Sequence, residues 1–431
     1  MLDLIGSSII GLLLEIFGRS PVTLEPLQLL SWQESAIFNL PATEPDPAVE
    51  GIVNEYINNL ASAGISPQKQ GIWLQSDWNE LVTHQGTTPA SAASLTKIAT
   101  TLAVLAQWRP AYQFETKIYA TGAIKDGILQ GDLIVVGSQD PFFVWEEAIA
   151  LGNALQQLGI GQVTGNLVVN DQFYMNYQSQ PLVAGELFKQ ALAVRLWPAE
   201  ASQQYLTLPL GTARPQLAIA TPVRVDNQLP ANARLLISHQ SLPLAEILKQ
   251  MNIYSNNEMA QMLADALGGA QEVAKQVAKI TNVPPAEIQL VNGSGLGVEN
   301  RLSPRAVCLM LMAIEQLLQS YPLKVADLFP VAGRDTVGTM QERSIPSGIV
   351  VKTGTLAQVS ALAGQISTRD RGQIWFAIIN SGTEIDYLRQ QQDRFLQRLA
   401  NHWQLAPRET PSVQNNQPFL GDPQRNLLAD N

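Results

Sequence analysis

Hydrophobic and polar positions along this chain change period several times, and each change marks a new element. Over residues 46–63 apolar side chains recur at helical spacing, with Ile52, Tyr56, Ile57 and Leu60 on one face, which predicts an amphipathic helix. Residues 71–75 and 80–84 read as hairpin strands around Ser76-Asp-Trp-Asn79. The run through Ile98, Ala99, Leu102, Ala103 and Leu105 carries almost no charge, the pattern of a helix buried on most sides. From Lys117 to about His239 the pattern shifts to short β-rich pieces punctuated by Gly and Pro, with a helical interlude over 148–158. Helical periodicity returns over 244–319. Strands are then expected at 348–356, 359–366 and 373–379, and an amphipathic helix over 385–403 closes the pattern.

Helices before and after an antiparallel sheet predict an α/β sandwich with a helical subdomain. On this reading residues 46–116 and 241–405 are two parts of one domain, and 117–240 form an inserted β-rich domain. Residues 1–45 read as a leader and connector. Residues 406–431, rich in Pro, Asn and Gln, read as a disordered tail. Within the leader, residues 4–17 are largely apolar, but Asp3 precedes them and Glu15 interrupts them. The stretch is short for a membrane span and lacks the basic start of a secretory signal. An interfacial membrane anchor, a mis-assigned start and a helix packed on the body are three readings of it.

Composition narrows the classes. The chain has 431 residues, enough for more than one domain, and its 27 basic and 37 acidic residues give a net charge of −10. No basic stripe is present, so nucleic acid is not an expected partner. The single cysteine, Cys308, excludes an internal disulfide and sits in an apolar helical run as a small hydrophobe. His84, His239 and His402 are scattered without ligand spacing, and no phosphate-binding glycine string occurs, so no metal or other cofactor is expected.

Three short strings carry the candidate chemistry: Ser94-Leu-Thr-Lys97, Ser255-Asn-Asn257 and Lys352-Thr-Gly-Thr355. A serine hydroxyl needs a base within reach to become a nucleophile, and residues three apart on a helix share a face. Lys97 at the start of the uncharged helix would be desolvated, which lowers a lysine toward the range of a general base. Ser66-Pro-Gln-Lys69 matches the same short pattern, but Pro67 and the absence of a buried helix make it a loop. Ser255 could pass a proton to a departing amine, while Asn257 could hold a substrate amide and orient Lys97. Seen alone, that second string is an ordinary helix N-cap. On an edge strand Lys352, Thr353 and Thr355 could hold a carboxylate while the backbone pairs with an added substrate strand, and Gly354 permits the close approach. Seen alone, the third string is a solvated lysine beside a glycine bulge.

The ordered set resembles the motifs of penicillin-interacting serine acyl-transferases. Flanking residues narrow the likeness: Asn292-Gly-Ser-Gly-Leu296, Asn300-Arg-Leu-Ser-Pro304, Pro330-Val-Ala-Gly333, and in the intervening block Gly131-Asp-Leu-Ile-Val-Val-Gly137, Asp140-Pro141, Gly165-Asn-Leu-Val-Val169 and Asp171. From about residue 46 to 403 the chain resembles D-alanyl-D-alanine carboxypeptidases/endopeptidases of the low-molecular-mass class C penicillin-binding type, the DacB-like serine DD-peptidases. The resemblance implies the serine β-lactamase/DD-transpeptidase-like fold, with Ser94 acylated, Lys97 as its base, Ser255 as proton relay, and Asn257, Lys352, Thr353, Gly354 and Thr355 binding substrate. It also implies an oxyanion hole of the Ser94 and Thr355 amides, peptidoglycan stem peptides as substrates, β-lactams as covalent inhibitors and a place in the bacterial envelope, in the periplasm. Departures exist. After Gly333 the run Arg334-Asp-Thr-Val-Gly-Thr-Met340 is longer than the family's, which leaves open whether Arg334 or Arg343 serves as its pocket arginine, and Gln139 replaces a glycine before Asp140.

The expected activity is hydrolysis at D-Ala-D-Ala termini, at D-Ala cross-links, or at both, through an acyl-enzyme on Ser94. The alternatives are a β-lactamase, for which no Glu-x-x-Leu-Asn string is present, and a silent wall-binding protein of the same fold.

Overall fold

Alternating apolar residues on the strand Gln373–Ser381 face two different cores. Ile374, Phe376 and Ile378 face one, and Trp375, Ala377 and Ile379 the other. A sheet covered on both faces needs such an unbroken apolar run. This computed structural model describes residues 46–407 and 419–429; the apolar stretch at 4–17 lies outside them. The central sheet is built from β1 (Gln70–Ser76), β2 (Glu80–His84), β3 (Val350–Leu356), β4 (Val359–Ser367) and β5 (Gln373–Ser381), all antiparallel in the order β3-β4-β5-β1-β2.

Two helices cover one face. α1 (Pro47–Ser62) starts with Asp46, whose side chain accepts from Ala48 N, and Pro47 at its first position, and it buries Val49, Val53, Tyr56, Ile57 and Leu60. Ile385–Trp403, the closing helix, lies beside it and buries Leu388, Phe395, Leu396 and Leu399. The opposite face packs on the helical subdomain, comprising α2 (Thr96–Gln107), α3 (Leu244–Tyr254), α4 (Asn257–Ala266), α5 (Ala270–Thr281) and α6 (Pro304–Leu318). The closing helix is α7 in this numbering. Cys308 is fully buried in α6.

Between α2 and α3 the chain builds most of a second sheet, to which a strand beyond α7 adds; the order is Val223–Val225, Leu167–Val169, Leu133–Val136, Glu115–Ala120, Arg234–Gln240 and Asn426–Leu428. It has a core of its own, centred on Phe143, Trp145, Phe173 and Phe188. This block holds more helix than its β-rich pattern predicts: besides Trp145–Gln157 it contains Pro181–Ala191 and Ala199–Tyr205. Both start beside a proline, a helix-start signal that short polar sequences such as Ala199–Tyr205 leave without clear periodicity.

The last strand corrects the expectation of a disordered tail over 406–431. In the described part of that segment, Pro423–Arg425 form a 3-10 turn and Asn426–Leu428 pair antiparallel with residues 237–239. The physical reason is a buried countercharge. Arg425 ion-pairs with buried Glu147 and also donates to the carbonyls of Gln240 and Phe419, each at 2.8 Å. Next to it His239 Nδ1 lies 2.7 Å from Asn426 Oδ1. Burial first, and the Arg425 charge second, push His239 down to about 3, so the ring is neutral. Burial pushes Glu147 up to about 7 despite the attraction of Arg425.

An Arg425→Met protein leaves Glu147 without its counterion. Urea unfolding at pH 8 should show a loss of about 3–5 kcal/mol, the usual cost of breaking a buried pair. The loss should shrink at pH 5.5, where the carboxyl is protonated, and Glu147→Met in the same chain should restore most of it. A loss below about 1 kcal/mol at pH 8 would show that the tail is not held by this pair.

Candidate active site

Ser94 stands in a 3-10 turn, Ala93–Leu95, that runs directly into α2. The turn is strained, since Ala93 has φ 45°, a left-handed value uncommon for a residue with a side chain. Two glycines make room for it. Gly295 (φ +84°) sits where a Cβ would lie 1.8 Å from the Ala93 carbonyl oxygen, and at Gly354 on β3 a Cβ would lie 3.0 Å from both Ala92 O and Ser94 N. Gly354 is thus the position at which the lysine strand closes on the serine turn.

One turn further on, Lys97 is fully buried, and its Nζ lies 3.2 Å from Ser94 Oγ, 2.8 Å from Asn257 Oδ1 and 2.7 Å from the Ser294 carbonyl oxygen. Burial brings its pKa down to about 7, against a smaller opposing pull from Glu258. A neutral amine has two N–H donors and one lone pair. With Asn257 and Ser294 taking the donors, the lone pair is left for the Ser94 hydroxyl.

Each neighbour is positioned by local chemistry. Ser255 ends α3 in the left-handed conformation (φ 53°, ψ 41°), and Asn256 caps α4 by accepting from Met259 N at 2.9 Å. The capping reading of this string therefore holds for Asn256, while Asn257 is bonded to Lys97. The loop after α5 is folded by asparagines: Asn300 Oδ1 accepts from Val291 N and Asn292 N, and Asn292 Oδ1 from Ser294 N and Gly295 N. That folding delivers the Ser294 carbonyl to Lys97. Sequence reasoning noted the string but missed this contact, because a backbone acceptor leaves no side-chain signature.

β3 is an edge strand. Pro330 O accepts from Val351 N at 2.9 Å, and Val331 bridges to Val350, so the start of its outer edge is covered. Lys352 is buried, donating to Ser255 Oγ at 2.9 Å and to Thr353 O at 2.8 Å. Burial, and then the charge of Lys97, drive its pKa well below the usual value. Thr353 is buried and Thr355 exposed on the same strand. The three strings therefore meet at one place. Ser66 does not join them; it precedes the 3-10 turn Pro67–Lys69, exposed, with its Oγ bonded to Gln68.

The two arginines left open by the sequence are engaged elsewhere. Arg343 is buried against Asp393, with Nε at 2.9 Å and Nη2 at 2.7 Å from Oδ1, and Arg334 donates to the Ala326 carbonyl and pairs with Asp335. Asp140 accepts from Phe142 N at 2.9 Å, an Asx turn as its Asp-Pro sequence suggests.

A serine with a desolvated lysine one helical turn away, and a second lysine on an edge strand, is the arrangement of active-serine peptidases that work through an acyl-enzyme. Residues 61–186 and 178–402 match the model of the D-Ala-D-Ala carboxypeptidase 3 (S13) family, and the chain belongs to that family as a serine-type peptidase. A carboxypeptidase of Mycobacterium tuberculosis is 26% identical over 335 residues, covering 68% of this chain and 71% of that protein. The D-alanyl-D-alanine carboxypeptidase DacB of Haemophilus influenzae is 23% identical over 389 residues, covering 67% and 80%. Among solved structures, the penicillin G-acylated predatory endopeptidase Bd3459 of Bdellovibrio bacteriovorus superposes with a TM-score of 0.72 at 21% identity, covering 83% of this chain and 99% of that one. Penicillin-binding protein 4 of H. influenzae gives 0.58 at 19% identity, covering 80% and 98%. These structures share the fold, the serine β-lactamase/DD-peptidase arrangement of sheet and helices.

With the lysines labelled at Cε, NMR should find one signal titrating near pH 7 that is absent from Lys97→Met. Glu258→Gln removes a charge that favours the ammonium, so the same signal should then titrate at lower pH. A Lys97 signal still titrating near 10 would contradict the buried-amine description.

Proposed function

We propose that Ser94 is the nucleophile of a DD-peptidase that cleaves the D-Ala-D-Ala ends of peptidoglycan stem peptides, the cross-links made from them, or both. The observation that carries this is the Lys97 amine, buried, with two acceptors and one serine in reach. Lys97 accepts the Ser94 proton as Oγ attacks the carbonyl carbon, and the oxyanion forms against the Ser94 and Thr355 amides. Ser255 donates its proton to the departing amine as the C–N bond breaks, and the proton Lys97 took from Ser94 replaces it by way of Lys352, which is bonded to Ser255 Oγ, so that Lys97 is again a neutral amine. Water then gives a proton to Lys97 as it attacks the ester carbon, and Lys97 returns that proton to Ser94 Oγ as the acyl group leaves. Asn257 holds Lys97 in place and offers its amide to the substrate; Lys352, Thr353, Gly354 and Thr355 form the strand along which the substrate lies.

Support for the substrate comes from relatives named as D-alanyl-D-alanine carboxypeptidases and from endopeptidase neighbours, one of them acylated by penicillin G. β-Lactams accordingly acylate Ser94 and leave slowly. We assign residues 46–116 and 241–405 to the peptidase domain and 117–240 to an insertion within it. The relatives support a place in the bacterial envelope, and within it we place the protein in the periplasm. No helix among the described residues is long and apolar enough to cross a membrane.

Incubation with penicillin followed by intact-mass measurement should give one adduct, lost in Ser94→Ala and kept in Ser66→Ala. The acylation rate should rise with pH through about 7, because Lys97 acts as a base only when neutral. No adduct with the drug consumed would indicate a β-lactamase. No adduct and no turnover, with stem peptides still bound, would indicate a silent binding protein.

A further inference from the structure

Arg389 is the arginine that reaches the lysine strand, and neither the motifs nor the pattern of the sequence singled it out. From α7 its Nη2 donates to Thr355 Oγ1 at 3.0 Å. Its other polar contact is Asp386 Oδ1 at 3.7 Å, one turn back, on a side chain that is 91% exposed. A pair so open to water contributes little and is easily displaced.

The placement of Arg389 is built in. Gln392, three residues on and so on the same helical face, is fully buried, and its Nε2 donates to Ser360 O at 3.0 Å and to Asn380 Oδ1 at 2.8 Å. Ser360 is the residue opposite Thr355 in the β3–β4 ladder. The helix is therefore pinned to the sheet beside the residue that Arg389 touches. The Arg389 side chain is about one-third exposed and tethered at Thr355.

Lys352 cannot take this part alone. It is buried and bonded to Ser255 and to Thr353 O, and its burial works against a full charge. A guanidinium, in contrast, keeps its charge across the working pH range and presents several N–H donors in a plane. Thr355 Oγ1 can accept from Arg389 and still donate its own proton.

We infer that Arg389 and the Thr355 hydroxyl together clamp a substrate carboxylate, the one carried by the residue just beyond the bond that is cut. This rests on the DD-peptidase reading above. With its scissile carbonyl at the Ser94 and Thr355 amides, a substrate laid along β3 has the carboxylate of its next residue near Thr355, whose hydroxyl Arg389 already contacts. Charge-assisted bonds of this kind discriminate strongly against an uncharged analogue. The same contact would hold the ring carboxylate of a penicillin.

The test uses the whole protein and compares acylation of Ser94 by benzylpenicillin with acylation by its methyl ester, followed by intact mass. The parent should prefer the acid. In Arg389→Gln the acid-to-ester rate ratio should fall about tenfold or more, the size expected for a charged hydrogen bond, and Arg389→Lys should recover part of it. Both rates falling equally would mean that Arg389 only ties α7 to β3, and an unchanged ratio would mean that it does not meet the carboxylate; either overturns the inference. A parent acylated by neither compound would sink the serine-acylation reading itself, and the clamp with it.

Discussion

Keeping the Lys97 amine out of water, with two acceptors and the Ser94 hydroxyl as its neighbours, is the constraint on which the surrounding architecture depends. α2 is apolar on nearly every side, so it can be buried whole and carry the lysine with it. α4 brings Asn257, and the asparagine-folded loop brings the Ser294 carbonyl. A solvated lysine would keep its proton at neutral pH and could not take one from serine. The helical subdomain, seen this way, is an enclosure for one nitrogen, and the sheet brings the strand that closes over it.

A second buried amine stands near the first. The Lys97 charge disfavours a proton on Lys352, so at Lys352 desolvation and repulsion act in one direction. Ser255 meets Lys352 from a left-handed turn at the junction of α3 and α4. Strain at Ala93 and close contact at Gly295 and Gly354 belong to the same design: the serine turn is held in an uncommon conformation by backbone packed against backbone.

Much of this was legible in the sequence because it follows from periodicity and from side chains with distinct chemistry. The two-faced apolar run of β5, the amphipathic face of α1 and the uncharged α2 each have a single favourable burial, and the structure gives them that burial. The convergence of Ser94, Lys97, Ser255, Asn257 and Lys352 could be read from the order of three strings, since each string is chemically incomplete without the others. What escaped was carried by the backbone or by distance along the chain. The Ser294 carbonyl has no side-chain signal. Arg389 looks like any polar residue on a solvated helix face until α7 is laid on β4. The tail failed for the opposite reason: its composition is that of disorder, yet one arginine finds a buried carboxylate that local sequence cannot reveal.

That carboxylate has a consequence for the order in which the molecule is completed. Glu147 and Arg425 are 278 residues apart, and the strand beyond Arg425 adds to a sheet whose other members were all made long before. On the ribosome, residues 115–240 must emerge and collapse while their outer strand is missing and Glu147 has no counterion. A buried carboxylate in that position favours its protonated form or stays wet. The intervening block therefore reaches its final packing only when residues 425–428 have emerged, after the helices and sheet of the catalytic body have been synthesised. The arrival of that distant strand, and not the end of its own segment, is what lets this part of the protein finish folding.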